Sequence, residues 1–283
     1  MPCAVCETSR TRVFLGMALR LKNGGPLPKV GDRLAVGTCD VSGAGVRALL
    51  GFVPADGVHA VVHDLELVSL APALSDDSDV GAVFVTDHDT TVPTAPSVSL
   101  VTLGDTLSLL IVNQQVRPAD EAAVAAAVYS MATDAGCGRV FILGALRLDE
   151  KRGGVSGGAN DALVLEFGDA ATEKETNESD SRTIRDGTLA ALTHVMRATS
   201  TPTTCVFVGG HRVVGLGGDE ESESEKEAAE TARVLGTLAA EKINNAGGAP
   251  VVRFDATVAS TYRASRAWRA TTGAPENTDR MYT

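Results

Sequence analysis

The chain has 283 residues, of which 44% are hydrophobic and only 4% aromatic, and it carries a formal net charge of −11. That length and apolar content suit a sizeable α/β core built from Val, Leu and Ala, and exclude a disordered chain. The acidic balance argues against nucleic acid or an anionic membrane as the main partner, and no apolar run reaches the roughly 18 residues of a membrane span.

The five cysteines, Cys3, Cys6, Cys39, Cys137 and Cys205, are odd in number and irregularly spaced. This suits reduced thiols better than a disulfide framework, and the expected location is cytoplasmic, with the nucleus also compatible. The opening "MPCAVCETSRTR" lacks the apolar core of a signal peptide.

In chain order, Arg12 to Leu21 reads as a strand and "KNGGPLPKVGD" as a loop. Val58 to Leu70 alternates as a strand with one wet face, and Gly81 to Asp87 is a short run of the buried-strand type. "SVSLVTLGDTLSLLIVNQQV" predicts two strands joined by a turn over Leu103-Gly104-Asp105-Thr106. "RPADEAAVAAAVYSMATDAG" then predicts a helix with Pro118 in its first turn, Ala122, Ala125, Ala126 and Tyr129 at helical spacing, and a stop at Gly136. "CGRVFILGAL" follows as a buried strand, which suggests a parallel strand–helix–strand unit.

The order recurs with a strand over Asp161 to Asp169, a helix over "IRDGTLAALTHVMRATS" and a strand over Thr203 to Val214. "EAAETARVLGTLAAEKINNAGG" predicts a long helix with Ala228, Ala232, Leu235, Leu238 and Ala239 as its apolar stripe. "APVVRFDATVA" reads as a last short strand, and Arg263, Arg266, Trp268 and Arg269 as members of one short helix. The expected architecture is a mixed, largely parallel sheet flanked by helices in a single α/β domain over 1–259. Acidic loops are expected near 168–182 and 217–226, with a flexible tail over 260–283.

The candidate chemistry is sparse. Cys3 and Cys6 form one CxxC with no second ligand pair at matching spacing, so an incidental pair is expected rather than a zinc site. "GGHRVVGLGGDE" lacks the Lys-Ser/Thr of a phosphate loop and runs into acidic residues, and "GGVSGGAND" reads as a loop. His63-Asp64 and Asp87-His88-Asp89 are the densest acid/His clusters, His194 and His211 are read as boundary residues, and no Gly-x-Ser-x-Gly elbow occurs. No metal or cofactor is expected.

The sequence closes on Met281-Tyr282-Thr283 after a Pro/Gly/Asn/Thr-containing stretch over 271–280. A hydrophobic residue, a phenol and a free carboxylate together suit a pocket that captures a chain end. This ending matches the hydrophobic–tyrosine–any motif of proteins that dock between adjacent α subunits of the 20S proteasome. With "LSLLIVNQQVRPADEAAVAAAVYSMATDAGCGRVFILGALRL" and "DGTLAALTHVMRATSTPTTCVFVGGHRV" as core strand–helix–strand patterns, the chain resembles the proteasome assembly chaperone family.

The resemblance implies an ATP-independent scaffold that acts on the α ring during 20S assembly, as a heterodimer with proteasome assembly chaperone 2. It also implies a nucleoside-phosphorylase-like fold without the catalytic residues, and docking by Met281, Tyr282 and Thr283. The second chaperone's Gly-Asn-Val-Gly-type segment is not found here, which points to the first of the pair. The alternative is a small-molecule enzyme of the same fold, with His63, Asp64 and Asp87 near its cleft.

Overall fold

The computed structural model describes residues 17–40, 42–69, 84–86, 96–147, 162–168, 184, 186–210 and 223–264. Among them one eight-stranded sheet forms the spine. Its strands are β1 (Met17–Leu21), β2 (Arg33–Thr38), β4 (Ala60–Ser69), β6 (Val98–Leu103), β7 (Leu107–Val112), β8 (Arg139–Arg147), β9 (Ala162–Phe167) and β10 (Thr203–Gly210). Their order across the sheet is β1-β4-β6-β7-β2-β8-β10-β9. The central strands β7, β2, β8 and β10 run parallel, and antiparallel pairings add β6, β4 and β1 on one side and β9 on the other. The expected mixed sheet with flanking helices is therefore present, with its parallel pairing gathered in the middle.

Burial follows from that order. Every residue of β2, β7 and β10 is buried, because helices cover the central strands on both faces. On one face, α1 (Ala44–Leu50) and α4 (Glu223–Asn245) lie over Ala35, Leu109, Phe141, Leu143 and Val206. On the other, α2 (Glu121–Asp134) and α3 (Gly187–Ala198) lie over Leu34, Val36, Leu110, Ile142 and Phe207. Each such side chain contributes about 1.5–3 kcal/mol by leaving water. Two further pairs are small: β3 (Phe52–Pro54) with β11 (Val252–Phe254), and β5 (Phe84–Thr86) with β12 (Tyr262–Ala264). A short helix, α5 (Ala256–Ser260), lies between β11 and β12.

The β6–β7 hairpin forms where the sequence places it. Leu103 pairs with Leu107, and Gly104, the first of the three loop residues, takes φ 56°, a left-handed conformation open to glycine without strain. Helix α2 ends as expected, with Gly136 at φ 68° just beyond its cap. Its buried stripe is Val124, Ala125, Val128, Met131 and Ala132, whereas Ala122 is exposed, so the stripe is rotated from the one read off the alanines. Helix α4 buries Ala228, Ala232, Leu235 and Ala239, with Leu238 packed beside them.

Several expectations are corrected. The strands β7 and β8 form the expected parallel strand–helix–strand unit with α2, but β2, which the sequence reading missed along with α1, lies between them. The strand β9 is antiparallel to β10, so β9–α3–β10 is not a second parallel unit. The strand β5 lies outside the central sheet. The second acidic loop ends sooner than expected, because α4 begins at Glu223 and Glu225 is buried in a 3.0 Å ion pair with Arg47 of α1. Arg263 lies on β12 rather than on a helix, and Tyr262 packs against the core. Arg266, Trp268, Arg269 and the stretch 169–183, read as an acidic loop, lie outside the described residues.

Candidate functional site

The parallel strands end together at one edge of the sheet. From that edge β2 leads to α1 on one face, while its neighbour β7 leads to α2 on the other. Adjacent strands whose connections part in this way open a crevice at their carboxyl ends, the usual ligand position in an open α/β sheet.

Asp40 occupies the turn from β2 to α1. It is 3% exposed. Its Oδ1 accepts from Ser42 N (3.0 Å), Ser42 Oγ (3.3 Å) and Ala44 N (3.0 Å), and its Oδ2 from Gly45 N (2.8 Å) and Ala145 N (2.9 Å). The first free N–H groups of α1, which could otherwise meet an anion, are thus filled by the chain's own carboxylate. Two glycines permit the approach. A Cβ on Gly37 would strike the Gly45 carbonyl, and one on Gly45 would strike the Leu143 carbonyl. Burial pushes the Asp40 carboxyl up to about 6, the backbone donors pull it down, and Asp186 raises it further.

Around this turn stand other polar groups. Asp186 caps α3 by accepting from Leu189 N at 2.8 Å, and burial raises its carboxyl. The Glu121 carboxylate, at the start of α2, lies against Gly187 of α3 and is also raised by burial, then by Asp186. The Cys39 Sγ lies 3.5 Å from the Val112 carbonyl, and burial beside Asp40 and Asp186 holds its thiol well above the usual range. Thr38 Oγ1 is buried and has no hydrogen-bond partner among the described residues. Among those residues no group of three or more His, Cys, Asp or Glu side chains is arranged to hold a metal ion.

The residues singled out from sequence fall elsewhere. His63 and Asp64 are consecutive on β4, paired with Leu100 and Ser99. Consecutive strand residues point to opposite faces, so the two do not converge on one cleft. Asp87, His88, Asp89, His211, Cys3 and Cys6 lie outside the described residues, as do Met281, Tyr282 and Thr283 and most of both glycine-rich segments. His194 is exposed on α3. The Asp40 turn was missed, although "GTCDVSGAG" directly after a short apolar run was its signal: an Asp, a Ser and glycines where a strand must turn into a helix.

No protein-family model and no curated protein matches the chain. Solved structures do. A Mycobacterium tuberculosis protein of unknown function superposes with a TM-score of 0.50 at 13% identity, covering 87% of this chain and 80% of that one. The likeness is one of fold. Pyrococcus furiosus PbaB, described as an archaeal proteasome activator, has a TM-score of 0.48 at 12% identity over 87% of this chain and 93% of its own. Pyrococcus furiosus PbaA, described as an archaeal homolog of proteasome-assembly chaperone, has 0.46 at 12% over 79% and 85%.

Proposed function

We propose that the chain is a non-enzymatic scaffold for 20S proteasome assembly. It docks on the α-subunit ring through Met281, Tyr282 and Thr283, in company with a second subunit of the kind of proteasome assembly chaperone 2. The observation that carries the reading is the closing tripeptide: an apolar side chain, a phenol and a carboxylate in the order that a pocket between two α subunits receives. The structural neighbours speak to the chain path alone at 12–13% identity, so the docking role rests on those three residues. The opposed faces of His63 and Asp64 weigh against the enzyme alternative.

Met281 and Tyr282 would each contribute about 1.5–3 kcal/mol on full burial, and the carboxylate a charge-assisted contact of similar size. The test is binding of the full chain to purified α rings. Tyr282→Ala should weaken it by about 100-fold or more at an unchanged melting temperature. One residue appended after Thr283 should do the same, because it moves the carboxylate and leaves every side chain in place. Full-strength binding by the extended chain overturns the docking role.

A further inference from the structure

The sheet ends on one side in β9, and no described strand pairs with its outer flank. Which backbone groups lie open there follows from the neighbouring ladders. The Pro202 carbonyl, just before β10, accepts from Val140 N of β8 at 2.9 Å. Successive residues of a strand turn their N–H and C=O groups to alternate sides. Thr204, Val206 and Val208 therefore bond to β8, and Thr203, Cys205 and Phe207 to β9. The last three stand opposite Phe167, Leu165 and Leu163, which spend their backbone groups on β10. Ala162, Val164 and Glu166 turn theirs to the open side.

The side chains along this open row are apolar. Leu163, Leu165 and Phe167 pack only in part against the core under α2 and α3, and Val164 is half-buried on the other face, opposite Val206. Glu166 is the one charge on the strand. Edge strands are usually guarded by lysine, proline or a bulge, and β9 has none of these. At the opposite edge, β1 carries Arg20 and runs into Lys22.

The row is complementary to itself. Turned about a two-fold axis through Val164, a second β9 runs antiparallel to the first. Val164 then exchanges both backbone bonds with Val164 of the second copy, and on each side of the axis an Ala162 does so with a Glu166. No other antiparallel register pairs all the open groups. This one also sets Leu163 beside Leu165 of the second copy, which closes the half-covered core. It places each Glu166 opposite an alanine and away from the other carboxylate. In a chain of net charge −11, that spares the contact a repulsion that most acidic surfaces would meet.

We propose that two copies of this chain join through their β9 edges, antiparallel about an axis at Val164, into one continuous sheet. The contact is separate from the tail and goes beyond the docking role. Six-residue strands pair over about 20 Å. That is a small interface, so the dimer is reversible and depends on concentration.

The test is sedimentation of the full chain over roughly three decades of concentration about the micromolar range, with amide hydrogen exchange of β9 read at each end. A monomer–dimer equilibrium is expected. The amides of Ala162, Val164 and Glu166 should gain protection with concentration, whereas those of Leu163, Leu165 and Phe167, bonded to β10, are protected throughout. Val164→Pro removes an N–H that the sheet does not use, so it should keep the fold and weaken the dimer about 100-fold. Ala162→Lys, at an exposed position, decides the register. The lysine faces Glu166 of the second copy and should tighten the dimer about threefold to tenfold at low salt, whereas a lysine on an edge strand ordinarily discourages pairing. The residue appended after Thr283 should leave self-association unchanged. A chain that stays monomeric overturns the proposal, and so does a dimer that a folded Val164→Pro leaves intact or that Ala162→Lys does not tighten. Protection of the three outward amides at every concentration overturns it too, since the chain's own residues then cover the edge.

Discussion

The Asp40 carboxylate accepts a hydrogen bond at 2.9 Å from the backbone N–H of Ala145, a residue 105 positions away on β8. The strands β2 and β8 pair only as far as Gly37 and Leu143. Beyond that point β2 turns off into α1, and the N–H of Ala145 would face an empty ladder position. Asp40 supplies the missing acceptor with one oxygen and fastens the first turn of α1 with both. One side chain thus finishes a sheet and starts a helix.

Asp40→Ala leaves the N–H groups of Ser42, Ala44, Gly45 and Ala145 in a dry interior with no acceptor. A loss of about 3 kcal/mol or more is expected, at the upper end for single substitutions. Urea unfolding measures it. Asp40→Asn keeps one acceptor oxygen and should cost less than the alanine. Equal stability of Asp40→Ala and the parent would show that the turn does not depend on this carboxylate.

The same residue sets a pH dependence. Its carboxyl lies at about 6 when folded, chiefly through burial and then through Asp186, against roughly 3.9 in an unfolded chain. The folded state therefore holds the proton more tightly. This contribution is full below pH 4, is lost as pH rises to about 6, and is flat beyond, for a total of about 3 kcal/mol. Glu121, Asp186 and Cys39 also face the turn and shift upward, while Asp255, capping α5, shifts downward and acts with the opposite sign. The measurement is accordingly a difference: unfolding free energy at pH 4.5 and pH 7 for the parent and for Asp40→Asn. The variant should lose most of the fall in stability between the two.

Arg47 and Glu225 tie α1 to α4 with side chains 3% and 6% exposed. Loss of either partner strands the other charge, at about 3–5 kcal/mol. Arg47→Met and Glu225→Met together should cost clearly less than the two single changes summed. A double-mutant cycle reads the coupling, and additive losses would show that the pair is not an energetic unit.

Gly45→Ala drives a Cβ into the Leu143 carbonyl. Ala is the better helix residue by about 1 kcal/mol, so propensity alone predicts a gain. The backbone contact should prevail, with a net loss of about 1–3 kcal/mol. A rise in melting temperature would mean that α1 can lift from the sheet without penalty.

What the sequence revealed follows from how local each signal is. The β6–β7 hairpin and the stripe of α4 are written in neighbouring residues: apolar runs on either side of Leu103-Gly104-Asp105-Thr106, and Ala228 to Ala239 at helical spacing. The strand β2 and helix α1 are not. "RLAVGT" is buried on both faces and shows no alternation, and "AGVRALL" is seven residues long with a glycine second. Both exist because Gly37, Gly45 and Leu143 let backbones touch, a relation between residues about 100 positions apart. With α1 unseen, Arg47 was unseen, and Glu225 looked like one more solvated acid. For the candidate site, Asp186 and Glu121 were read only as parts of helix starts. Their meeting over Gly187 depends on the α2–α3 packing. Strand alternation alone sets His63 and Asp64 on opposed faces, against the shared cleft expected of them in the enzyme alternative.

The position of β2 bears on how the chain acquires its shape during synthesis. Arg33 pairs with Leu107 on one side and with Arg139 on the other, so this strand, buried along its whole length in the fold, leaves the ribosome long before either neighbour exists. At roughly 5–20 residues per second, the last strand needed to enclose it follows several seconds later. Until then both of its edges present unpaired backbone groups to any extended segment nearby. Slow, non-local closure of this kind is the regime in which nascent chains pair with the wrong strand. Residues 33–38 are therefore the segment of the described fold most in need of a holding factor before the chain is complete.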